Sequence, residues 1–119
     1  MTNYITILEH RDKKILYANH KDCGAEIIIS TIKQSEELIL KMANPDLRLL
    51  VDVRNCEITA EVVEQFKVTA KKIKDYRKKT AVLGITGVRK VMLIAVNKFS
   101  GIEAKAFDDE ISAKEWLVE

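Results

Sequence analysis

Residues 84–87 read Gly-Ile-Thr-Gly and join an apolar, strand-like run to a helix-like run. Backbone N–H groups at a helix N-terminus are unpaired and attract anions, and the helix dipole adds to this attraction. Arg89 and Lys90 follow within what would be the first helical turn. Thr86, Gly87, Arg89 and Lys90 are therefore candidate ligand-binding residues for an anionic group. The simpler alternative is a tight turn whose glycines only fit the backbone.

No other stretch carries a recognisable catalytic or metal-binding pattern. The sequence has no Walker loop, no Gly-x-Gly-x-x-Gly run and no Gly-x-Ser-x-Gly elbow. His10 and His20 would lie on paired strands, separated by about five residues or roughly 17 Å, which is too far to share one ion. Cys23 and Cys56 form no Cys-x-x-Cys pair, and we interpret them as reduced thiols that pack as small apolar residues. We therefore expect no enzymatic activity, no bound metal and no cofactor.

The helix after the turn is apolar almost all the way round. Between residues 88 and 99 the polar side chains are Arg89, Lys90, Asn97 and Lys98. If Arg89 and Asn97 mark the solvent side, then Leu93 and Val96 lie on that side too. Exposed aliphatic patches usually mark a contact surface, so we predict that Leu93 and Val96 contact a second subunit, another helix or a lipid. Asn97 joins the candidate ligand-binding residues on this surface.

Length and composition are those of an ordinary globular domain. The chain has 119 residues, 47% hydrophobic and 32% charged, so one domain over residues 1–119 is expected. A net charge of +2 argues against a nucleic-acid binder. The basic run 71–79 suits a solvated helix end, with contact to phosphate head groups or nucleic acid as the alternative. Because we find neither a signal peptide nor an apolar run long enough to cross a bilayer, we expect a cytoplasmic protein.

The hydrophobic pattern predicts elements in the order ββαβαβαβα. The predicted strands span residues 3–10, 13–20, 47–53, 80–85 and 103–107. The predicted helices span residues 22–43, 60–78, 88–99 and 109–118. The runs 47–53 and 80–85 are nearly continuously apolar, which is typical of central parallel strands. This alternation indicates an α/β fold with a mixed, mostly parallel five-stranded sheet and an antiparallel N-terminal hairpin. Trp116 and Leu117 are expected to anchor the last helix.

The C-terminal half of the sequence resembles a known family. It combines the turn at 84–87, Asn-Lys-Phe-Ser-Gly at 97–101, Phe-Asp at 107–108 and Glu-Trp-Leu at 115–117. This combination resembles the SpoIIAA-like family of small STAS-type domains, which are similar in fold to CRAL-TRIO lipid-binding domains. The resemblance implies a STAS-like fold, and the relation to lipid-binding domains adds an apolar molecule to the candidate ligands.

One segment departs from the pattern that the resemblance implies. Anti-sigma-factor antagonists of the STAS class carry a phosphorylatable serine after the central strand. The corresponding residues 51–63 have no Asp-Ser-Ser-Gly sequence, and Thr59 is their only hydroxyl. Thr59 is therefore the candidate phosphorylation site, although its position also suits the N-cap of the next helix.

These observations predict a non-enzymatic, STAS-like interaction or ligand-binding module, with a possible regulatory role. Its partner would be an unidentified protein or a small apolar or anionic ligand. The alternative is a binder of a lipid-like molecule with peripheral membrane association. A homodimer formed through Leu93 and Val96 is a further expectation.

Overall fold

The computed structural model describes residues 4–119, and a sheet of five strands runs through its centre. The strands are β1 Ile5–His10, β2 Lys13–Asn19, β3 Arg48–Asp52, β4 Lys79–Leu83 and β5 Lys105–Phe107. They lie in the order β1-β2-β3-β4-β5; β1 and β2 are antiparallel, and the other neighbours are parallel. The predicted mixed sheet is confirmed, including the parallel pairing of the two apolar runs, which are β3 and β4.

Within the same residues the α-helices are α1 Ala25–Met42, α2 Ala60–Ile73, α3 Arg89–Ser100 and α4 Glu110–Leu117. Thr59 caps α2 by accepting a hydrogen bond from the N–H of Val62 at 3.2 Å, and Asp109 caps α4 through the N–H of Ser112 at 2.7 Å. α2 is shorter than predicted because a 3-10 helix, Lys74–Tyr76, follows it. No helix within residues 4–119 combines the length and apolar character needed to cross a bilayer.

A two-residue turn at Asp12 and Lys13, on which the expected separation of His10 and His20 depends, does not form. His10 pairs with Lys13, which leaves Arg11 and Asp12 as the turn. Both turn residues have positive φ, 50° and 64°, as a two-residue hairpin turn requires. This register places His20 beyond the end of β2 rather than opposite a residue of β1.

The helices cover the two faces of the sheet unequally. Helices α1, α2 and α3 lie over one face, where Leu49 of β3 and Ile39 of α1 are buried together. On the other face the core is completed by α4, through the fully buried Leu117. Trp116 is half-buried and packs against Phe107, with 5.4 Å between the ring centroids. The predicted anchoring of the last helix by Trp116 and Leu117 is confirmed.

Candidate ligand-binding site

A cavity of about 120 Å³ lies between the sheet and helices α1, α2 and α3. Its floor includes Ala18, Val51 and Val82, which stand side by side on β2, β3 and β4. Ala18 and Val82 are buried, but Val51, on the central strand between them, is only half-buried. Side chains in the middle of a covered sheet are normally packed on all sides. The exposure of Val51 therefore shows that the helices do not fill the space above the sheet.

Helix α3 forms part of the roof of this cavity. Met92, Leu93 and Val96 line the cavity and are half-buried. The opposite side of the helix carries Val91 and Ile94, which are 69% and 63% exposed. The predicted placement of Leu93 and Val96 on an outward surface is therefore wrong.

The placement is wrong because the two side chains expected to mark the solvent side, Arg89 and Asn97, bind backbone, while the exposed polar side chains of α3 are Lys90 and Lys98. Arg89 donates hydrogen bonds to the carbonyl oxygens of Val53 at 2.7 Å, Gly84 at 3.1 Å and Cys56 at 2.6 Å. Val53 and Gly84 immediately follow β3 and β4, where the chain leaves the sheet. Buried or half-buried carbonyl groups need a donor, and Arg89 supplies it. Arg89 therefore marks the inner side of this helix.

Asn97 fixes the other end of α3 in a similar way. Its side-chain amide donates to the carbonyl oxygen of Ala104 at 3.0 Å and accepts from the N–H of the same residue at 3.1 Å. Both polar atoms of the Asn97 amide are thereby engaged with the strand-like segment that precedes β5. The structure places Asn97 outside the lining of the cavity.

The turn before α3 offers less to an anion than its sequence suggests. The N–H groups of Arg89 and Lys90 donate to the carbonyl oxygens of Thr86 and Gly87, both at 3.1 Å, and are therefore occupied. Gly84 has φ 96°, and a Cβ on it would lie 2.7 Å from a backbone nitrogen of the chain after β3. That glycine is therefore required by close packing. Of the five predicted ligand-binding residues, Arg89 alone lines the cavity.

His20 is a cavity residue that sequence reasoning did not assign to ligand binding. It is 1% exposed, and its Nδ1 has no hydrogen-bond partner among residues 4–119. Ser35 and Thr80 also line the cavity, and their buried hydroxyl oxygens likewise have no hydrogen-bond partner among residues 4–119. Burial lowers the pKa of His20 to about 4, against an opposing effect of the Asp52 carboxylate, so the ring is neutral at pH 7. The signal in the sequence is its position at the end of a predicted strand, since parallel sheets bind ligands at the edge where their strands end.

A second polar cluster lies on the opposite face of the sheet and is internally paired. Asp52, at the end of β3, is fully buried and accepts hydrogen bonds from the Tyr17 hydroxyl at 2.9 Å and from Arg54 Nη2 at 2.6 Å. Burial alone would raise the pKa of Asp52, but the hydrogen bonds from Arg54 and Tyr17 outweigh it and hold that pKa below its usual range. Burial and the bond to Asp52 raise the pKa of Tyr17. We assign this cluster a structural role.

The two cysteines, distant in sequence, lie in one apolar cluster as free thiols. Burial raises the pKa of both Cys23 and Cys56, and thiols with a raised pKa are poor nucleophiles at neutral pH. The Cys56 thiol donates to the carbonyl oxygen of His20 at 2.6 Å. In the part of the chain that the structure describes, no three His, Cys, Asp or Glu residues are grouped so that they could hold a metal ion.

Known proteins similar to this chain share its architecture. The family model described as SpoIIAA-like matches residues 15–118. An uncharacterised protein of the DUF3478 family with a SpoIIAA-like fold, from Shewanella loihica PV-4, is 20% identical; the match covers 95% of this chain and 91% of that chain, with a TM-score of 0.66. An anti-sigma-factor antagonist (STAS) domain protein from Planctomyces limnophilus is 12% identical, covering 97% and 98%, with a TM-score of 0.56.

At these identities the two solved structures support the fold alone, and no curated protein matches the chain. The family match, in contrast, extends from β2 through the last helix and includes every strand and helix that forms the cavity. The chain therefore belongs to the SpoIIAA-like family.

Proposed function

We propose that this chain is a non-enzymatic binding module that holds a small, largely apolar molecule in the cavity beneath α3. The half-buried Val51, in the middle of the sheet, is the observation that carries this proposal. An apolar cavity of roughly 150 Å³ in another protein stays dry and binds benzene, so about 120 Å³ here admits a molecule of about six non-hydrogen atoms. Filling the cavity would restore the contacts that the sheet and helices lack.

The structure of α3 supports a fixed roof over such a molecule. Arg89 ties the first turn of α3 to the ends of β3 and β4, and Asn97 ties its last turns to Ala104. Between these two anchors, Met92 and Leu93 face the cavity, while α2 is the main packing partner of the helix. The middle of α3 therefore meets the sheet across the space that the ligand would fill.

The experiment is a calorimetric titration with 1-pentanol, preceded by native mass spectrometry to detect any retained molecule. Val51→Phe should abolish pentanol binding because the phenyl ring occupies the cavity, while the far-UV circular dichroism stays that of a folded protein. Ile111→Phe is the control, because Ile111 is 76% exposed on α4, on the other side of the sheet. Absence of binding by the wild-type protein, or unchanged binding by Val51→Phe, would refute the proposal.

A second candidate function, peripheral contact with an anionic membrane surface, is favoured by the outer side of α3. Val88, Val91 and Ile94 are exposed there, at 76%, 69% and 63%. Lysines border this apolar strip: Lys67 and Lys71 lie 5.9 Å and 5.2 Å from the ring centre of Phe99, and Lys90 and Lys98 are exposed on α3 itself. Apolar side chains bordered by cations suit a surface of anionic lipids.

Co-sedimentation with vesicles of anionic or of neutral phospholipid tests this second function. The double variant Val91→Lys/Ile94→Lys should lose binding to anionic vesicles, whereas Ile111→Lys should keep it. If the wild-type protein ignores both vesicle types but is a dimer that the double variant converts to a monomer, the outer side of α3 is an interface between copies of the chain.

A further inference from the structure

We propose that the molecule held in the cavity is a short-chain carboxylate, with its charged end toward Arg89 and His20 and its chain directed along the sheet toward Thr80. This inference rests on the proposed binding function and names the class of ligand. It follows from the position of the polar atoms in a lining that is otherwise almost entirely apolar.

His20 marks one end of the cavity. The backbone N–H of His20 donates to the carbonyl oxygen of Asp52 at 2.9 Å, which places His20 level with the carboxyl ends of the parallel strands. Its Nδ1 is buried and has no hydrogen-bond partner among residues 4–119. A neutral imidazole presents one donor and one acceptor, so this ring can offer Nδ1–H to a ligand oxygen. Leaving such an atom buried without a partner is unfavourable, and a ligand atom would relieve it.

Arg89 supplies a positive charge at the same edge of the sheet. It lines the cavity, and its three hydrogen bonds go to backbone carbonyl oxygens, which carry no net charge. No carboxylate among residues 4–119 forms an ion pair with Arg89; Asp52, buried at the same edge, is paired with Arg54 instead. A guanidinium has five N–H groups, so two remain for a ligand. A half-buried cation beside an apolar cavity favours an anionic partner.

A carboxylate matches these groups better than an alcohol does. One negative charge balances the one cation, and two oxygens accept from Arg89 and from His20. An alcohol offers one oxygen and no charge. Asn19 pairs with Asp52 and Asp52 pairs with Leu83, so His20 lies level with Gly84, the residue that follows β4. Thr80, on β4, lies four residues before Gly84. The cavity therefore extends about 13 Å along the strands from the His20 end. An extended hydrocarbon chain with one charged end fits this distribution.

The test compares pentanoate with 1-pentanol, two probes of equal chain length, by calorimetry on the full chain at neutral pH. We expect pentanoate to bind at least about tenfold more tightly, a difference of 1.4 kcal/mol. His20→Phe, which keeps a ring beside Phe66, should reduce this preference by about threefold or more and leave pentanol binding unchanged. Arg89→Gln should remove the preference. Thr80→Val is the matched control, since it deletes an unpartnered hydroxyl at the far end and should keep the preference.

The outcomes separate this inference from the proposed function. If pentanol binds and pentanoate binds no more tightly, the carboxylate proposal is overturned while the binding function stands. If Thr80→Val reduces the preference as much as His20→Phe does, the proposed orientation is overturned. If neither probe binds, the binding function fails and this inference fails with it. Should Arg89→Gln not fold, His20→Phe decides the question alone.

Discussion

Arg89, at the start of α3, donates a hydrogen bond of 2.7 Å to the carbonyl oxygen of Val53, the residue that follows β3. The same guanidinium donates to the carbonyl oxygens of Gly84, which follows β4, and of Cys56, which lies before α2. One side chain on a mostly apolar helix therefore links α3 to three segments of the chain. This arrangement makes Arg89 important for stability as well as for the proposed ligand.

The first prediction concerns this role of Arg89. Arg89→Met removes the donor for three carbonyl groups and should lower the free energy of unfolding by about 2–4 kcal/mol. The neighbouring Lys90 is exposed, so Lys90→Met should change it by less than about 0.5 kcal/mol. Urea denaturation followed by circular dichroism measures both. Equal midpoints for the two variants would show that the bonds of Arg89 contribute little to stability.

The second prediction tests the orientation of α3. Leu93→Lys/Val96→Lys places two charges in an apolar cavity and should lower stability by several kcal/mol or prevent folding, since isolated buried charges are highly unfavourable. Val91→Lys/Ile94→Lys changes two exposed residues of the same helix and should leave stability within about 1 kcal/mol of the wild type. Denaturation of the two double variants, which add the same charge to the same helix, isolates the effect of orientation. A stable Leu93→Lys/Val96→Lys protein would contradict the structure.

The fold was predictable because several sequence signals agree. The apolar runs that became β3 and β4, the capping residues Thr59 and Asp109, and the alternation of strands and helices all indicate the same α/β sheet. The site was less predictable. Arg89 could be selected as a cation in a first helical turn, but its inward direction depends on carbonyl groups that only the folded chain brings close.

The cavity could not be predicted, because it is space that the surrounding side chains leave empty and no residue type marks it. The residues of its floor and roof are the same aliphatic types that fill a packed core, and periodicity does not measure how far apart two layers stand. The sequence predicts Leu93 and Val96 on the outer side of α3 for a related reason. That prediction assumes that Arg89 and Asn97, being polar, face solvent. In the structure both side chains bind backbone carbonyl groups instead.

The third prediction distinguishes the two glycines of the turn before α3. Gly84→Ala should lower the free energy of unfolding by about 2–4 kcal/mol, because its φ is 96° and the added Cβ meets backbone at 2.7 Å. Gly87 has a φ of 57°, but no atom lies within 4 Å of a Cβ added there. Only the left-handed conformation therefore opposes Gly87→Ala, which should lower the free energy of unfolding by about 1–2 kcal/mol. Thermal or urea unfolding of both variants checks the difference. The reverse order of stability would show that the turn is not packed against the chain after β3.

The last prediction is a pH dependence that originates from His20. Its pKa in the folded protein is about 4, below the ordinary value of 6.5, because burial opposes the charged form. Above about pH 6.5 the residue is neutral in both states and has no effect on stability. As the pH falls from 6.5 toward 4, the unfolded chain takes up a proton that the folded chain does not, and folded-state stability decreases. Between about pH 7.5 and pH 5 the expected loss is about 2 kcal/mol. Asp52 and Asp109 have lowered pKa values, so their contributions to stability are lost only below their ordinary pKa of 3.8 and do not enter this range.

Urea denaturation of the wild type and of His20→Phe at both pH values isolates the effect of His20, because the variant should lack this loss of stability. Equal losses in the two proteins would mean that His20 is accessible to protons in the folded state, and that the cavity beneath α3 admits water more freely than its apolar lining indicates.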